Sequence, residues 1–174
     1  MTRDPRRTDV RRHDGHALPP PHLRVFPARP DASPTLRELV RALVAEAHAG
    51  AGHGHDVSVD VDVPAALPLP TDLESLRCLL APLLARSMDG ARRDPWHGRR
   101  GRGVTITAVC CPQAVEIEVA DSGPTGGDDG AAVAEVGRQA AELGGSLVVA
   151  DCPDGGTAFT VRLPVGRVTR RRAA

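Results

Sequence analysis

The chain is expected to fold as an α/β (α+β) two-layer sandwich, with about three helices packed on one face of a mixed, mainly antiparallel sheet. Three observations carry that expectation. Apolar residues recur at helical spacing in three separate segments. Short strand-like runs, bounded by glycine, proline and acidic turns, lie between and after them. The order is helix, strand, helix, strand, strand, helix, strand, strand, which stacks helices on a sheet rather than sheet on sheet.

Residues 1–34 are rich in Pro, Arg, Asp and His and cannot bury enough apolar area to offset ordering entropy, so they are read as a disordered leader. The first helix follows, with Ser33 as its N-cap and Pro34 in its first turn. Leu36, Leu39, Val40, Leu43, Val44 and Ala47 form its apolar stripe, and Gly50 and Gly52 stop it. Val57, Val59, Val61 and Val63 alternate with Ser58, Asp60 and Asp62, a strand with one wet face. An extended connector from Pro64 to Pro70 leads to a second helix capped by Thr71 or Asp72. Its wide apolar face is Leu73, Leu76, Leu79, Leu80, Leu83 and Leu84. Pro82 lies inside this segment and is expected either to kink it or to open a second short helix.

Residues 89–103 read as an Arg/Gly loop. Val104 to Val109 and Val115 to Val119 pair through a Cys110-Cys111-Pro112-Gln113 turn. Residues 130–143 carry an Ala-rich helical pattern. Ser146–Ala150 and Thr157–Leu163 close the domain as a hairpin around Pro153, Asp154, Gly155 and Gly156. The expected organisation is therefore a leader over 1–34, one folded domain over 35–166 and a basic tail over 167–174.

Bulk properties exclude several classes. The 174 residues suffice for a real core, with 41% apolar residues supplied mainly by Ala, Val and Leu. Formal net charge is zero, so no global field steers the chain to nucleic acid or a membrane. Arginine-rich stretches at 1–30, 91–102 and 167–172 carry no interleaved aromatics for base stacking, and solvation is their simplest role. Cys78, Cys110, Cys111 and Cys152 lack CxxC or framework spacing, so reduced thiols in a cytoplasmic protein are expected. No apolar run approaches the ~18 residues that a membrane span requires. The chain holds no Lys, Tyr or Asn at all, which fits a GC-rich coding bias.

The most informative residues are the strand running into Asp121-Ser122-Gly123, followed by the glycine pairs Gly144-Gly145 and Gly155-Gly156-Thr157. With the 63–70 connector and the Leu-rich helix, they resemble the ATPase domain shared by sensor histidine kinases and gyrase-type topoisomerases, most closely its kinase branch. The similarity covers roughly residues 35–165. It implies that Asp121 reads the adenine amino group, with Gly123 in the same turn, and that Thr157 completes adenine recognition. Gly130, at a helix start, would match the first glycine of the second glycine box, where backbone amides meet phosphates. ATP is the implied cofactor, and a partner protein in a phosphorelay the implied partner.

The same resemblance exposes departures. The two asparagine positions of the second helix hold Pro82 and Arg86, and the basic position three residues on holds Asp89. A guanidinium has five donors and no acceptor, so Arg86 cannot ligate magnesium. It is read either as a phosphate-binding replacement or as a helix residue pairing Asp89. Ala132 stands where the second glycine of the box is expected. Only Pro124 to Asp129 separate the Asp121 turn from the next helix, where the family places a longer lid, and Asp128 and Asp129 would sit beside any phosphates. His13, His16, His22, His48, His53, His55 and His97 lie outside any phospho-acceptor motif. His53, His55 and Asp56 lack further ligands for a tetrahedral metal.

Two readings stay open. One is a non-catalytic scaffold or regulatory module of two-component-type signalling, with a degenerate nucleotide site, weak or absent ATP binding, no metal and no catalytic residue. The other is an active Mg-ATP module that phosphorylates a histidine on a separate chain. Asp121, Gly123, Gly130, Thr157 and Arg86 are the expected nucleotide-site residues in either case.

Overall fold

The computed structural model describes residues 34–50, 57–93, 103–125, 130–153 and 155–165. All but Pro34 of the expected leader, the 167–174 tail, most of the 89–103 loop, and His53, His55, Asp56, His97, Asp128 and Asp129 lie outside the described residues.

Helix α1 spans Leu36–Gly50. Its cap is Thr35 rather than Ser33. The Glu38 carboxylate accepts from the Thr35 N–H at 2.7 Å, and the Glu38 N–H donates to Thr35 Oγ1 at 3.3 Å. This reciprocal capping box satisfies two end groups at once, which a lone serine cap cannot do. The Thr35 amide and hydroxyl hold the Glu38 carboxyl below its ordinary range.

Strand β1, Ser58–Asp62, continues the valine alternation: Val57 and Val63 are buried, and Ser58, Asp60 and Asp62 are exposed. Helix α2 spans Leu73–Arg92 and is capped by Asp72, which accepts from the Ser75 N–H at 2.9 Å and from its hydroxyl at 2.8 Å. These bonds lower the Asp72 pKa. Pro82 neither ends α2 nor opens a second helix, since one continuous helix runs through it. Its ring is on the exposed face, where the carbonyl of exposed Cys78, deprived of its helical partner, can meet water. The opposite face, Leu76, Leu79, Leu80, Leu83 and Leu84, is buried and holds the helix on the sheet.

Strands β2 (Gly103–Cys111) and β3 (Ala114–Asp121) form a tighter hairpin than expected. Cys110 pairs with Val115 and Cys111 with Ala114, leaving only Pro112 and Gln113 in the turn. Helix α3 spans Gly130–Glu142, and β4 (Ser146–Asp151) and β5 (Thr157–Pro164) follow as an antiparallel pair.

The five strands lie in the order β1-β2-β3-β5-β4. Only β1 and β2 are parallel, and α2 is their crossover, as a parallel pair requires. The three helices pack on one face of this mixed sheet, an open α/β sandwich, with α2 central against α1, α3, β2 and β3. The core between the layers is aliphatic around one large ring, Phe159, beside Ile117, Val161, Leu163, Leu76, Leu79 and Met88. The other sheet face carries polar pairs beside exposed Val109 and Val148: Glu118 accepts from the Thr160 hydroxyl at 3.2 Å and Arg162 pairs with Glu116 at 3.3 Å. All four cysteines are free thiols. Among the described residues no helix is long and apolar enough to cross a membrane.

Candidate functional site

Alternation places the site. Val115, Ile117 and Val119 of β3 point into the core, so a period of two turns Asp121 the same way, beneath the end of α2. It is 6% exposed. Phe159, Val161 and Leu163 fix the same phase for β5 and turn Thr157 inward, 2% exposed. The β3–β5 register ends with Ala120 opposite Ala158. One step further sets Asp121 beside Thr157, where side chains on one face have Cβ atoms roughly 5 Å apart. Two residues 36 positions apart in sequence are thus brought together by sheet pairing.

Three glycines make the approach of the surrounding chain close enough. Asp121 Oδ1 accepts from the Gly123 N–H at 2.8 Å, a local turn that points the carboxylate back under α2. A methyl on Gly123 would lie 2.5 Å from the Gly90 carbonyl, so this turn presses directly on the α2 backbone. A methyl on Gly156 (φ +98°) would lie 1.7 Å from the Asp121 carbonyl oxygen. The hairpin turn that carries Gly156 is closed by Cys152, whose N–H donates to the Gly156 carbonyl at 2.9 Å. Burial pushes the Cys152 thiol up, and the charges of Asp121, Glu118 and Asp151 add to it. The shift favours the neutral thiol over the more reactive thiolate.

Two hydroxyls stand out. Thr157 Oγ1 and Ser87 Oγ are buried, and neither has a hydrogen-bond partner among the described residues. Leaving such a group unsatisfied costs about 1–3 kcal/mol, so a ligand that bonds to it recovers that energy. Ser87 lies one helical turn before Gly90 on the same face of α2. An ionisable acceptor, Asp121, and a buried hydroxyl, Thr157, therefore lie at this end of the sheet against close-packed glycine backbone.

The α2 side differs. Pro82 is exposed and carries no donor or acceptor side chain. Asp89 is exposed and ion-paired with Arg92 at 2.6 Å. The Arg86 guanidinium turns along the helix toward the sheet. A methyl on Gly90 would lie 2.9 Å from Arg86 Nη1 and 3.0 Å from Asp121 Oδ1. No group of three His, Cys, Asp or Glu among the described residues could hold a metal. Magnesium takes oxygen ligands, and the side chains at positions 82 and 86 offer none.

Gly130 opens α3 and is exposed, as is Ala132. Residues 126–129, which join α3 to the Asp121 turn, lie outside the described residues. Of the expected site residues, the structure brings together Asp121, Gly123, Thr157 and Arg86. Sequence reasoning missed Ser87, Gly90 and Gly156 as site residues. A polar residue on an otherwise apolar stripe and a glycine inside a helical pattern were the available signals for the first two.

No family model matches the sequence, and no curated protein matches it. Solved structures do. The Acinetobacter baumannii histidine kinase AdeS aligns with a TM-score of 0.62 and 14% identity, covering 76% of this chain and 66% of that one. The nucleotide-free catalytic domain of histidine kinase ThkA aligns with a TM-score of 0.61 and 15% identity, covering 75% and 93%. Full-length ShkA in complex with AMPPNP aligns with a TM-score of 0.58 and 25% identity, covering 76% and 30%. The chain thus spans nearly all of an isolated catalytic domain, but less than two thirds of the AdeS structure and under a third of full-length ShkA.

Proposed function

We propose that this chain, which has the fold of histidine-kinase ATPase domains, is a non-catalytic scaffold or regulatory module of two-component-type signalling with weak or no ATP binding. One observation carries the reading. Where the resemblance expects α2 to supply magnesium ligands, the helix offers the ring of Pro82 and the guanidinium of Arg86, and Asp89 is engaged by Arg92. Without a metal to neutralise a triphosphate, the charge of ATP would rest on whatever cations the chain itself supplies. Asp121, Gly123 and Thr157 would hold the adenine. Gly130 would lie toward the phosphates, if they bind. The module would work in the cytoplasm beside a phosphorelay protein, as a domain over 35–166 flanked by a leader and a basic tail.

The second reading is an active Mg-ATP module that phosphorylates a histidine on a separate chain. The buried Thr157 hydroxyl without a partner among the described residues favours it, because a retained adenine pocket has little use if nothing binds. Calorimetric titration of ATP and ADP, with and without magnesium, separates the two. The first reading expects no binding tighter than millimolar and no effect of magnesium. Micromolar, magnesium-dependent ATP binding would overturn it and leave the second.

A further inference from the structure

Asp121 is a carboxylate almost wholly removed from water, and burying a charge is costly unless it is both hydrogen-bonded and paired. The Gly123 N–H supplies one hydrogen bond, to Oδ1. The compensating charge has a nearby source in Arg86. Its Nη1 and Asp121 Oδ1 both lie about 3 Å from the same point above Gly90, so the two atoms are within about 6 Å, where opposite charges attract strongly in a partly buried setting.

The geometry depends on what Gly90 lacks. Arg86 precedes it by one turn on α2, so its long side chain can run along the helix toward Gly90. A side chain at 90 would fill the space between guanidinium and carboxylate. A helix-interior glycine is less favourable than alanine, and here it leaves room for that approach.

We propose that Arg86 is the resident counter-ion of Asp121, so that an adenine base must displace its guanidinium to reach the carboxylate. The guanidinium presents planar N–H donors, the same kind of group as the exocyclic amine of the base. Arg86 is thereby a specificity and positioning residue for this pocket: it stabilises the empty domain and weakens purine binding. This rests on the reading that Asp121 and Thr157 form the adenine side.

Two measurements on the full chain test it. Adenosine, which carries no phosphate and needs no metal, is titrated by calorimetry into the wild type, Arg86→Met and Arg86→Met/Asp121→Asn. At least tenfold tighter binding by the single variant, abolished in the double, is expected. Equal or weaker binding by Arg86→Met overturns the proposal, and weaker binding would make Arg86 a direct ligand contact instead. Thermal melts of the wild type, Arg86→Met, Asp121→Asn and the double variant read the ion pair without any nucleotide. Each single change should lower Tm by several degrees, and the double should lose less than their sum; additive losses overturn the counter-ion role. Should Arg86→Met not fold, Arg86→Lys takes its place, with a smaller Tm loss and a smaller gain in adenosine affinity expected. If no variant binds adenosine while the melts remain non-additive, the counter-ion stands and the adenine-side reading falls.

Discussion

Gly156 holds the site together through the absence of a side chain. Its φ of +98° is open to glycine and strained for other residues, and an added methyl would occupy the Asp121 carbonyl. Relieving a 1.7 Å approach to backbone requires separating β5 from the Asp121 turn. Gly156→Ala is therefore expected to destabilise the domain by about 3 kcal/mol or more, read as a lowered urea midpoint. Gly50→Ala, with open space around it, is the control and should change little. Asp121 and Thr157 were singled out in the sequence by their motifs, Asp121-Ser122-Gly123 and Gly155-Gly156-Thr157, and strand alternation accounts for both side chains turning inward. Ser87 and Gly90 were not. Gly90 matters through a contact between α2 and a turn some 30 residues further along, which its own segment does not encode.

At the scale of elements, α2 shows how packing overrides propensity. Sequence alone gave Pro82 a kink or a helix boundary, yet the helix is continuous because its leucine face is buried on both sides of the proline. The proline still costs a backbone hydrogen bond, and its side chain packs against nothing in the core, being exposed. Pro82→Ala should therefore raise stability by about 1–3 kcal/mol, seen as a higher melting temperature. An unchanged or lower melting temperature would mean that the helix is bent there and that the bend is needed for its seat on the sheet. The α1 cap makes a complementary point. Both Ser33 and Thr35 are good caps in isolation, but only Thr35 has a glutamate three residues on.

Across the whole molecule, one sheet face is covered by three helices and the other is open, so substitutions should sort by face. Leu79, fully buried between α2 and the sheet, should cost about 2–5 kcal/mol on change to Ala. Val148, 57% exposed on edge strand β4, points to the open face, and Val148→Thr should stay within about 0.5 kcal/mol. Denaturant titration of both variants checks the pair. The magnesium-dependence experiment belongs to this scale as well, since a triphosphate site would draw on β3, β5, α2 and α3 together.

The sequence by itself determined the order of the elements, the sandwich class and the alternation of β1, because helical and strand periodicities are local and burial rewards them directly. It also raised the expectation that positions 82 and 86 supply no magnesium ligand, since neither a proline ring nor a guanidinium offers an oxygen. Only the tertiary structure decided where Arg86 points, that Asp89 pairs with Arg92, that Gly90 and Gly156 lie against Asp121, and that the Ser87 hydroxyl is buried. Those facts depend on how closely α2 settles on the sheet, a distance set by side-chain volumes contributed from every element at once.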